Sequence, residues 1–361
     1  GLVIIAAILA AFSWRFVEKP FRKRPAANMA NAARSRIPMS AYAALSLTAI
    51  MAACGFYFGA LAPTAGKSAG AKVSQATVEG CLDQIRVKKG PVECVFGRGR
   101  GAGNTEVILW GDSHAMAYAL VLSSLYDSGR AYMLLDCVPV LGATAVAGDG
   151  RPVKKNCDSA NEYSIAEIER LKPKLVILAA RWTVFQGVPY GHESRTPRYL
   201  VTNRKEPRTI EHSQRVLGEK LPDTIARINR LGARVVLIGP APEMKLPVEK
   251  CLALSASLSL DDSKCRSIGR EEVERRQAVT KQILLEAAAK TGASIFWPSE
   301  QLCDERRCYA LRNGEVLYND GDHLTAIGSM SLAPALAATL KLARPEDIAF
   351  RNIGFAGSIP R

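Results

Sequence analysis

The feature that most constrains the fold is a regular alternation of short apolar runs with longer amphipathic runs. The apolar runs have strand length and lie at Thr105–Trp110, Ala131–Leu135, Lys174–Ala180, Ala233–Ile238 and Ala293–Trp297. Segments with helical spacing follow them, at Ala115–Tyr126, Ser159–Leu171, Ser213–Leu231, Glu271–Thr291 and Thr325–Leu342. Because strands that are apolar on both faces must be covered on both sides, the order predicts a parallel sheet between two helical layers. We therefore expect an α/β fold, a three-layer α/β/α sandwich with a five-stranded parallel sheet.

A serine stands where such a fold places its functional residues, at the carboxyl end of a strand. Ser113 follows the first apolar run directly, and the amides at the start of the next helix are potential donors to an oxyanion. Near the other end of the domain, Asp320 and His323 precede Thr325, which is suited to cap the last helix. Serine, histidine and carboxylate are the three parts of an activated-hydroxyl site for acyl transfer.

These residues have predicted roles and competing explanations. Ser113 is the expected nucleophile, His323 the general base and then general acid, and Asp320 the group that orients the imidazole. Asp322 competes with Asp320 for the orienting role. A purely structural explanation also exists, since Ser113 or Asp112 would cap a helix and the two aspartates would form a turn.

The other three histidines do not fit this site. His114 adjoins the nucleophile, but a side chain at the start of a helix is expected to point elsewhere. His192 and His212 lie in or near polar segments and are expected to be solvated.

The first part of the chain predicts a membrane segment. Residues 1–12 are apolar, but basic residues follow rather than precede them, which favours the last half of a membrane helix over a signal peptide. Residues 37–61 form an apolar run of 25 residues, and a spanning helix needs roughly 20. The intervening residues 13–36 hold seven basic residues and one acidic residue, so the positive-inside rule makes them cytoplasmic. Everything after about residue 62 is then expected outside the cytoplasm.

The net charge of +14 does not predict nucleic-acid binding. Seven basic residues minus one acidic residue give residues 13–36 a charge of +6, which leaves +8 for the rest of the chain. No basic face with interleaved aromatic residues stands out there, and a juxtamembrane basic cluster explains the excess.

The cysteines predict disulfides. Cys54 lies in the second apolar run and eight others follow it; an even number in an exported domain is typical of disulfide bonding. They form four local couples: Cys81–Cys94, Cys137–Cys157, Cys251–Cys265 and Cys303–Cys308. Zinc is the alternative, but the sequence has no C-x-x-C knuckle or Cys/His quartet, so we expect no metal.

Two motifs carry a resemblance to a known family. Trp110-Gly111-Asp112-Ser113-His114 and Asp320-x-x-His323 resemble the SGNH (GDSL-like) hydrolase superfamily over about residues 104–345. Together with Asp322-His323-Leu324 and the upstream segment Arg15–Arg22, they look most like SGNH domains fused behind acyltransferase-3 membrane proteins. The resemblance implies that Ser113 is the nucleophile and that Asp320 and His323 are the acid and base.

The resemblance also implies an activity. Proteins of this kind O-acetylate sugars of bacterial surface polysaccharides such as lipopolysaccharide O-antigen. The acetyl donor would be cytoplasmic acetyl-CoA, passed to the periplasmic serine by an acyltransferase-3 membrane domain in cis, with no cofactor in this part of the chain. The expected partners are therefore that domain, the inner membrane and a glycan acceptor, and nucleic acid is not among them.

The oxyanion donors are the point where the sequence departs from the family. The superfamily supplies a glycine after the second strand and an asparagine after the third, beside the amide of the nucleophile, here Ser113. Gly142 is a candidate for the glycine. Arg181 and Trp182 stand where Gly-x-Asn is expected, so the asparagine donor is unassigned and these two residues are its candidates.

The resulting organisation has five parts. Residues 1–36 would close the acyltransferase-3 membrane domain and form a basic linker, 37–62 a transmembrane helix, 63–103 a periplasmic extension, 104–345 the SGNH domain and 346–361 a tail. The expected location is the bacterial inner membrane, with the catalytic domain in the periplasm. Two alternatives remain open: a periplasmic SGNH carbohydrate acetylesterase with the same triad, and a non-catalytic glycan-binding module.

Overall fold

A computed structural model of the chain describes residue 15 and residues 92–99, 103–153, 157–185 and 197–342. The chain divides into two compact units, Gly1–Pro63 and Thr64–Arg361, and every described residue except residue 15 belongs to the second. Within the described ranges, no helix combines the length and apolarity that a membrane crossing requires. The predicted transmembrane helix at 37–62 and the tail at 346–361 lie outside the described residues.

The second unit alternates strands and helices along the chain. Its strands are β1 (Val92–Phe96), β2 (Val107–Gly111), β3 (Gly129–Met133), β4 (Thr144–Ala147), β5 (Leu175–Ala179), β6 (Arg198–Val201), β7 (Arg234–Ile238), β8 (Ser267–Gly269), β9 (Ser294–Phe296), β10 (Arg307–Tyr309), β11 (Leu311–Arg312) and β12 (Glu315–Val316). Its helices are α1 (Met116–Leu125), α2 (Cys157–Leu171), α3 (Ile210–Arg230), α4 (Val248–Leu258), α5 (Ser263–Arg266), α6 (Arg270–Thr291), α7 (Ser299–Leu302), α8 (Ala326–Met330) and α9 (Ala333–Thr339). A short 3-10 helix lies at Trp182–Phe185.

The central sheet has six strands in the order β1-β3-β2-β5-β7-β9. The five predicted strands are confirmed, and all five are parallel. The prediction of a purely parallel five-stranded sheet is wrong, because β1 adds an antiparallel strand beside β3. The addition pairs backbone groups of β3 that an edge would expose, and it buries Cys94 and Phe96 against the core.

Alternate residues of each strand supply the two apolar cores. In β2, Val107 and Leu109 belong to the core under α1, α8 and α9, whereas Ile108 and Trp110 belong to the core under α2, α3 and α6. Because successive strand residues point to opposite faces, a wholly apolar strand requires helices on both sides. The three-layer arrangement expected from the sequence is therefore confirmed.

Three of the predicted disulfides are formed, and each is local. Cys137–Cys157 joins the segment after β3 to α2, Cys251–Cys265 joins α4 to α5, and Cys303–Cys308 ties α7 to β10. Cys81 lies outside the described residues, so the Cys81–Cys94 pairing stays a prediction.

Candidate active site

A sharp turn at the end of β2 presents Ser113. The turn depends on Gly111, where an added Cβ would lie 1.8 Å from the carbonyl oxygen of Ala179 in the neighbouring strand. Glycine is needed here because two backbones approach more closely than any side chain allows. Helix α1 begins at Met116 without a side-chain cap, so the explanation of Ser113 as a helix cap does not hold.

The Asp112 carboxylate stabilises this turn by accepting two backbone hydrogen bonds. Its Oδ1 accepts a hydrogen bond from the N–H of His114 at 2.8 Å, and its Oδ2 accepts one from the N–H of Arg181 at 2.9 Å. Burial raises the pKa of Asp112, although its two backbone donors and the neighbouring histidines partly offset that rise. Asp112 thus connects the end of β2 to the end of β5.

The tertiary fold brings Ser113 and His323 into contact across 210 residues of sequence. Ser113 Oγ lies 2.9 Å from His323 Nε2, and His323 Nδ1 lies 2.8 Å from Asp320 Oδ2. Asp320 Oδ1 accepts hydrogen bonds from the N–H groups of Asp322 and His323, at 2.9 and 2.8 Å. Asp320 therefore orders its own loop with one oxygen and contacts the imidazole with the other.

Asp322, the competitor named from the sequence, also contacts the histidine. Its Oδ1 lies 2.9 Å from His323 Nδ1, and its side chain is 2% exposed, against 41% for Asp320. Burial by itself would lower the pKa of His323, but the contacts with Asp320 and Asp322 outweigh it and raise that pKa to about 10. The two carboxylates therefore favour the protonated form of the His323 ring over the neutral form.

Neighbouring segments fix the loop that carries His323. The N–H of Met244 donates to Gly321 O at 2.6 Å, and the N–H of Val248 donates to Asp320 O at 3.2 Å. On the other side, Thr325 Oγ1 accepts from the N–H of Gly328 at 3.0 Å, which confirms the predicted cap of the last helical segment.

A buried network of ion pairs contacts Asp322 and consists of Arg181, Glu243 and Arg276. Arg181 Nε donates to Glu243 Oε1 at 3.1 Å, and Arg181 Nη1 lies 2.8 Å from Asp322 Oδ2. Glu243 also accepts hydrogen bonds from Arg276 Nε at 2.8 Å and from the hydroxyl of Thr183. Burial opposes the charge of Glu243, but Arg181 and Arg276 lower its pKa.

The structure separates the oxyanion candidates. No described residue accepts a hydrogen bond from the Ser113 N–H, so this amide stays available. The indole Nε1 of Trp182 is buried and donates to Ile238 O at 2.7 Å, so Trp182 as an oxyanion donor stays a prediction that rests on its backbone N–H. Gly142 lines neither cavity that contains Ser113. Arg181 lines the smaller one, but its N–H donates to Asp112 and its guanidinium is ion-paired.

Asp136 is a residue that the sequence reasoning missed. It follows β3 with a φ of 62°, lines the smaller cavity and forms an ion pair with Arg198. A left-handed backbone at a residue that is not glycine is uncommon and is worth attention in a site. The sequence indicated this residue only through the tendency of aspartate to adopt a left-handed backbone.

The expectations for His114 and His212 need correction. His114 faces the site: its Nε2 lies 3.5 Å from Asp322 Oδ2, and its ring centroid lies 4.7 Å from that of His323. His212 is buried rather than solvated, with Nε2 2.9 Å from Glu206 Oε2. His192 lies outside the described residues.

The same groups raise the question of a metal. Potential ligand atoms of His114, Asp322 and His323 lie within 4.8 Å of one another. The Asp322 oxygen nearest His114 is, however, 2.8 Å from the Arg181 guanidinium. The Asp322 carboxylate is therefore already ion-paired with a guanidinium, and the residues fit an ion-paired cluster better than a metal centre.

Two cavities meet at Ser113. The larger, of about 670 Å³, runs between α1 and the Asp320 loop and is lined by apolar side chains such as Met116 and Leu120 together with Glu249. The smaller, of about 210 Å³, is lined by the same Ser113 and His323 and extends to Phe185 and Arg198.

Comparisons with known proteins gave one family match and similar solved structures. The family model described as "SGNH domain (fused to AT3 domains)" matches residues 65–338. Among solved structures, the periplasmic domain of the Salmonella ser. Paratyphi A lipopolysaccharide acetyltransferase is 16% identical, with a TM-score of 0.46, covering 76% of this chain and 100% of its own. An extracellular lipase from Streptomyces rimosus is 13% identical, with a TM-score of 0.33, covering 65% of this chain and 99% of its own. No curated protein matches.

Proposed function

The chain belongs to the family of SGNH domains that are fused to AT3 domains, and we propose that it is the catalytic part of a membrane O-acetyltransferase. In this proposal an AT3 domain in cis delivers an acetyl group from cytoplasmic acetyl-CoA, and the SGNH domain passes it to a sugar hydroxyl. The acceptor class is a bacterial surface polysaccharide such as lipopolysaccharide O-antigen. The catalytic domain would lie in the periplasm, beside the inner membrane.

The observation that carries the proposal is the 2.9 Å contact between Ser113 Oγ and His323 Nε2, with a carboxylate on the other ring nitrogen. In the neutral ring, Nδ1–H donates to the carboxylate and Nε2 accepts from the serine hydroxyl. Ser113 Oγ would attack the acetyl carbonyl as His323 takes its proton. The leaving group departs with that proton, and an acetyl-serine ester remains.

The second half-reaction would use the same groups. A sugar hydroxyl attacks the ester carbonyl and gives its proton to His323 Nε2, and Ser113 Oγ leaves with a proton from the imidazolium. Asp320 and Asp322 stabilise the positive ring in both halves. The Ser113 amide would contact the negative oxygen of each tetrahedral intermediate.

The dimensions of the site are compatible with a sugar acceptor. The larger cavity, at about 670 Å³, falls within the range of roughly 300–1,000 Å³ that is usual for small-molecule sites. A second cavity that is also lined by Ser113 leaves room for the acyl group. The 25-residue apolar run at 37–61 and the basic segment before it support a membrane tether.

Mass spectrometry of the host's surface glycan tests the proposal. Deletion of the full-length gene should remove O-acetyl groups, and the wild-type gene but not a Ser113→Ala gene should restore them. If water rather than a sugar hydroxyl accepts the acetyl group, the same triad acts as an acetylesterase. Deletion of the gene would then increase the acetylation of the surface glycan. Restoration of wild-type acetylation by Ser113→Ala would instead indicate a non-catalytic glycan-binding module.

A further inference from the structure

One residue, Arg181, connects the two halves of the site. Its backbone N–H donates to Asp112, which holds the turn of the nucleophile, at 2.9 Å. Its side-chain Nη1 lies 2.8 Å from Asp322 Oδ2. Asp322 Oδ1 in turn lies 2.9 Å from His323 Nδ1. The serine turn and the histidine loop, far apart in sequence, are therefore both attached to Arg181, just beyond the end of β5.

The Arg181 guanidinium is also fixed by a second ion pair, with Glu243. Its Nε donates to Glu243 at 3.1 Å, and Glu243 accepts from Arg276 of helix α6 at 2.8 Å. The charges alternate in this series of four side chains, which runs from Arg276 through Glu243 and Arg181 to Asp322. Each buried charge therefore has a neighbour of opposite sign. The side chains of Glu243 and Asp322 are only 3% and 2% exposed.

We propose that Arg181 is a positioning residue that holds Asp322 against the His323 ring, with Glu243 and Arg276 as its anchor. The inference rests on the proposed function only in taking His323 as the catalytic base.

The geometry explains why an arginine stands at this position. A guanidinium is a planar fork whose nitrogens can bond two carboxylates at once, whereas a lysine ammonium is a single point of charge. Arg181 uses Nε for Glu243 and Nη1 for Asp322. Without the second contact, the Asp322 carboxylate could turn away from the His323 ring toward His114, which lies 3.5 Å from its Oδ2.

Asp320 does not need such support. Its side chain is 41% exposed, and its Oδ1 is fixed by two backbone N–H groups of its own loop. Asp322 has no comparable local hold, because its oxygens face Arg181, His114 and His323. The carboxylate that is nearly inaccessible to water is thus the one whose orientation depends on a distant residue.

Arg181→Lys in the full chain tests the proposal, with turnover of p-nitrophenyl acetate as the assay. We expect the limiting kcat at high pH to fall on the order of 10²-fold with little change in KM, because a displacement of about 1 Å has this cost. Arg130→Lys is the matched control. Arg130 pairs with Glu93 near the start of β3, away from the carboxyl ends of the strands, and its replacement should leave kcat unchanged.

A double-mutant cycle separates positioning from a general loss of structure. If Arg181 acts through Asp322, then Arg181→Lys combined with Asp322→Asn should have a kcat within about twofold of Asp322→Asn alone. Combined with Asp320→Asn, the Arg181→Lys loss should persist in full. A wild-type kcat for folded Arg181→Lys, or a loss that multiplies with Asp322→Asn, overturns the proposal.

A second measurement does not depend on catalysis. The chain has four histidines, so NMR of the isotope-labelled imidazoles can follow His323, assigned with His323→Gln. The pKa of His323 should fall in Arg181→Lys and in Asp322→Asn alike, whereas a merely structural role would lower stability and leave that pKa in place. If Arg181→Lys does not fold, Arg276→Lys at the part-exposed end of the network takes its place with the same expected direction, because it keeps the positive charge and loosens only the anchor of Arg181. Full ester turnover by Ser113→Ala would refute the proposed function and leave the NMR result to decide on Arg181.

Discussion

Replacing Asp320 by asparagine isolates the electrostatic effect of one carboxylate on His323. The asparagine Oδ1 can still accept from the N–H groups of Asp322 and His323, so the loop should keep its shape. The amide NH₂, however, cannot accept the hydrogen bond from His323 Nδ1, which in the native chain lies 2.8 Å from Asp320 Oδ2. The substitution therefore removes one of two negative charges from the base and little else.

The expected magnitude follows from the native pKa of His323, which the site raises from 6.5 to about 10. An opposite charge at this distance typically shifts a pKa by about 1–3 units, and Asp322 remains in place. Asp320→Asn should thus lower the pKa of His323 by that amount. Because the base works only as the neutral ring, the pH profile of kcat/KM should move in the acidic direction by the same interval, and the high-pH plateau should drop.

The assay is ester turnover from pH 6 to 11, with NMR of labelled histidine as an independent reading of the same pKa. Asp304→Asn is a matched control: Asp304 likewise accepts backbone N–H groups, from Arg306 and Arg307, but lines neither cavity at Ser113. Its profile should match that of the native chain. A native His323 that titrates near 6.5, or an Asp320→Asn profile that does not move, would refute the electrostatic reasoning.

Four further outcomes are expected. Ser113→Ala should reduce ester turnover on the order of 10⁶-fold with an unchanged melting temperature. Gly111→Ala should destabilise the fold by about 3 kcal/mol in urea unfolding, because the new Cβ would meet a backbone carbonyl at 1.8 Å; an unaffected midpoint would contradict the close approach of the two strands. Replacing the Cys251–Cys265 pair by serines should cost about 2–4 kcal/mol, since the disulfide closes a short loop with a sequence separation of 14. Finally, the raised pKa of His323 contributes stability that is complete below pH 6.5 and lost as pH rises toward about 10, so the melting-temperature difference between the native chain and His323→Gln should shrink across that window.

Local patterns gave most of the fold and the centre of the site. An apolar strand followed by Gly111 and Ser113 can be recognised from neighbouring residues, and so can Asp320 three positions before His323. The disulfide couples were readable for the same reason, because each joins cysteines close in sequence. In all these cases the determining interactions span few residues.

Other features depended on contacts that no local pattern encodes. Strand β1 pairs in the antiparallel direction with β3, from Val92 opposite Met133 to Phe96 opposite Gly129. Helix α1 and strand β2 lie between the two strands in sequence, so no local pattern showed this pairing. Trp182 looked like a possible donor from its place after β5, but its indole bonds to the end of β7. His114 was expected to point away, yet the loop around Asp322 packs directly against it.

Apolar periodicity was enough to predict a layered α/β fold, because strands that are apolar on both faces need helices on both sides. It also predicted that Ser113 stands at a strand end, and the residue types then made Ser113 and His323 the candidates for nucleophile and base. The packing of distant segments set which carboxylates meet His323 and let Arg181 bridge Asp322 and Glu243. Burial explains why these contacts could not be predicted from local patterns. A charge removed from water must find an opposite charge, and which one lies within 3 Å is known only once the distant segments have packed.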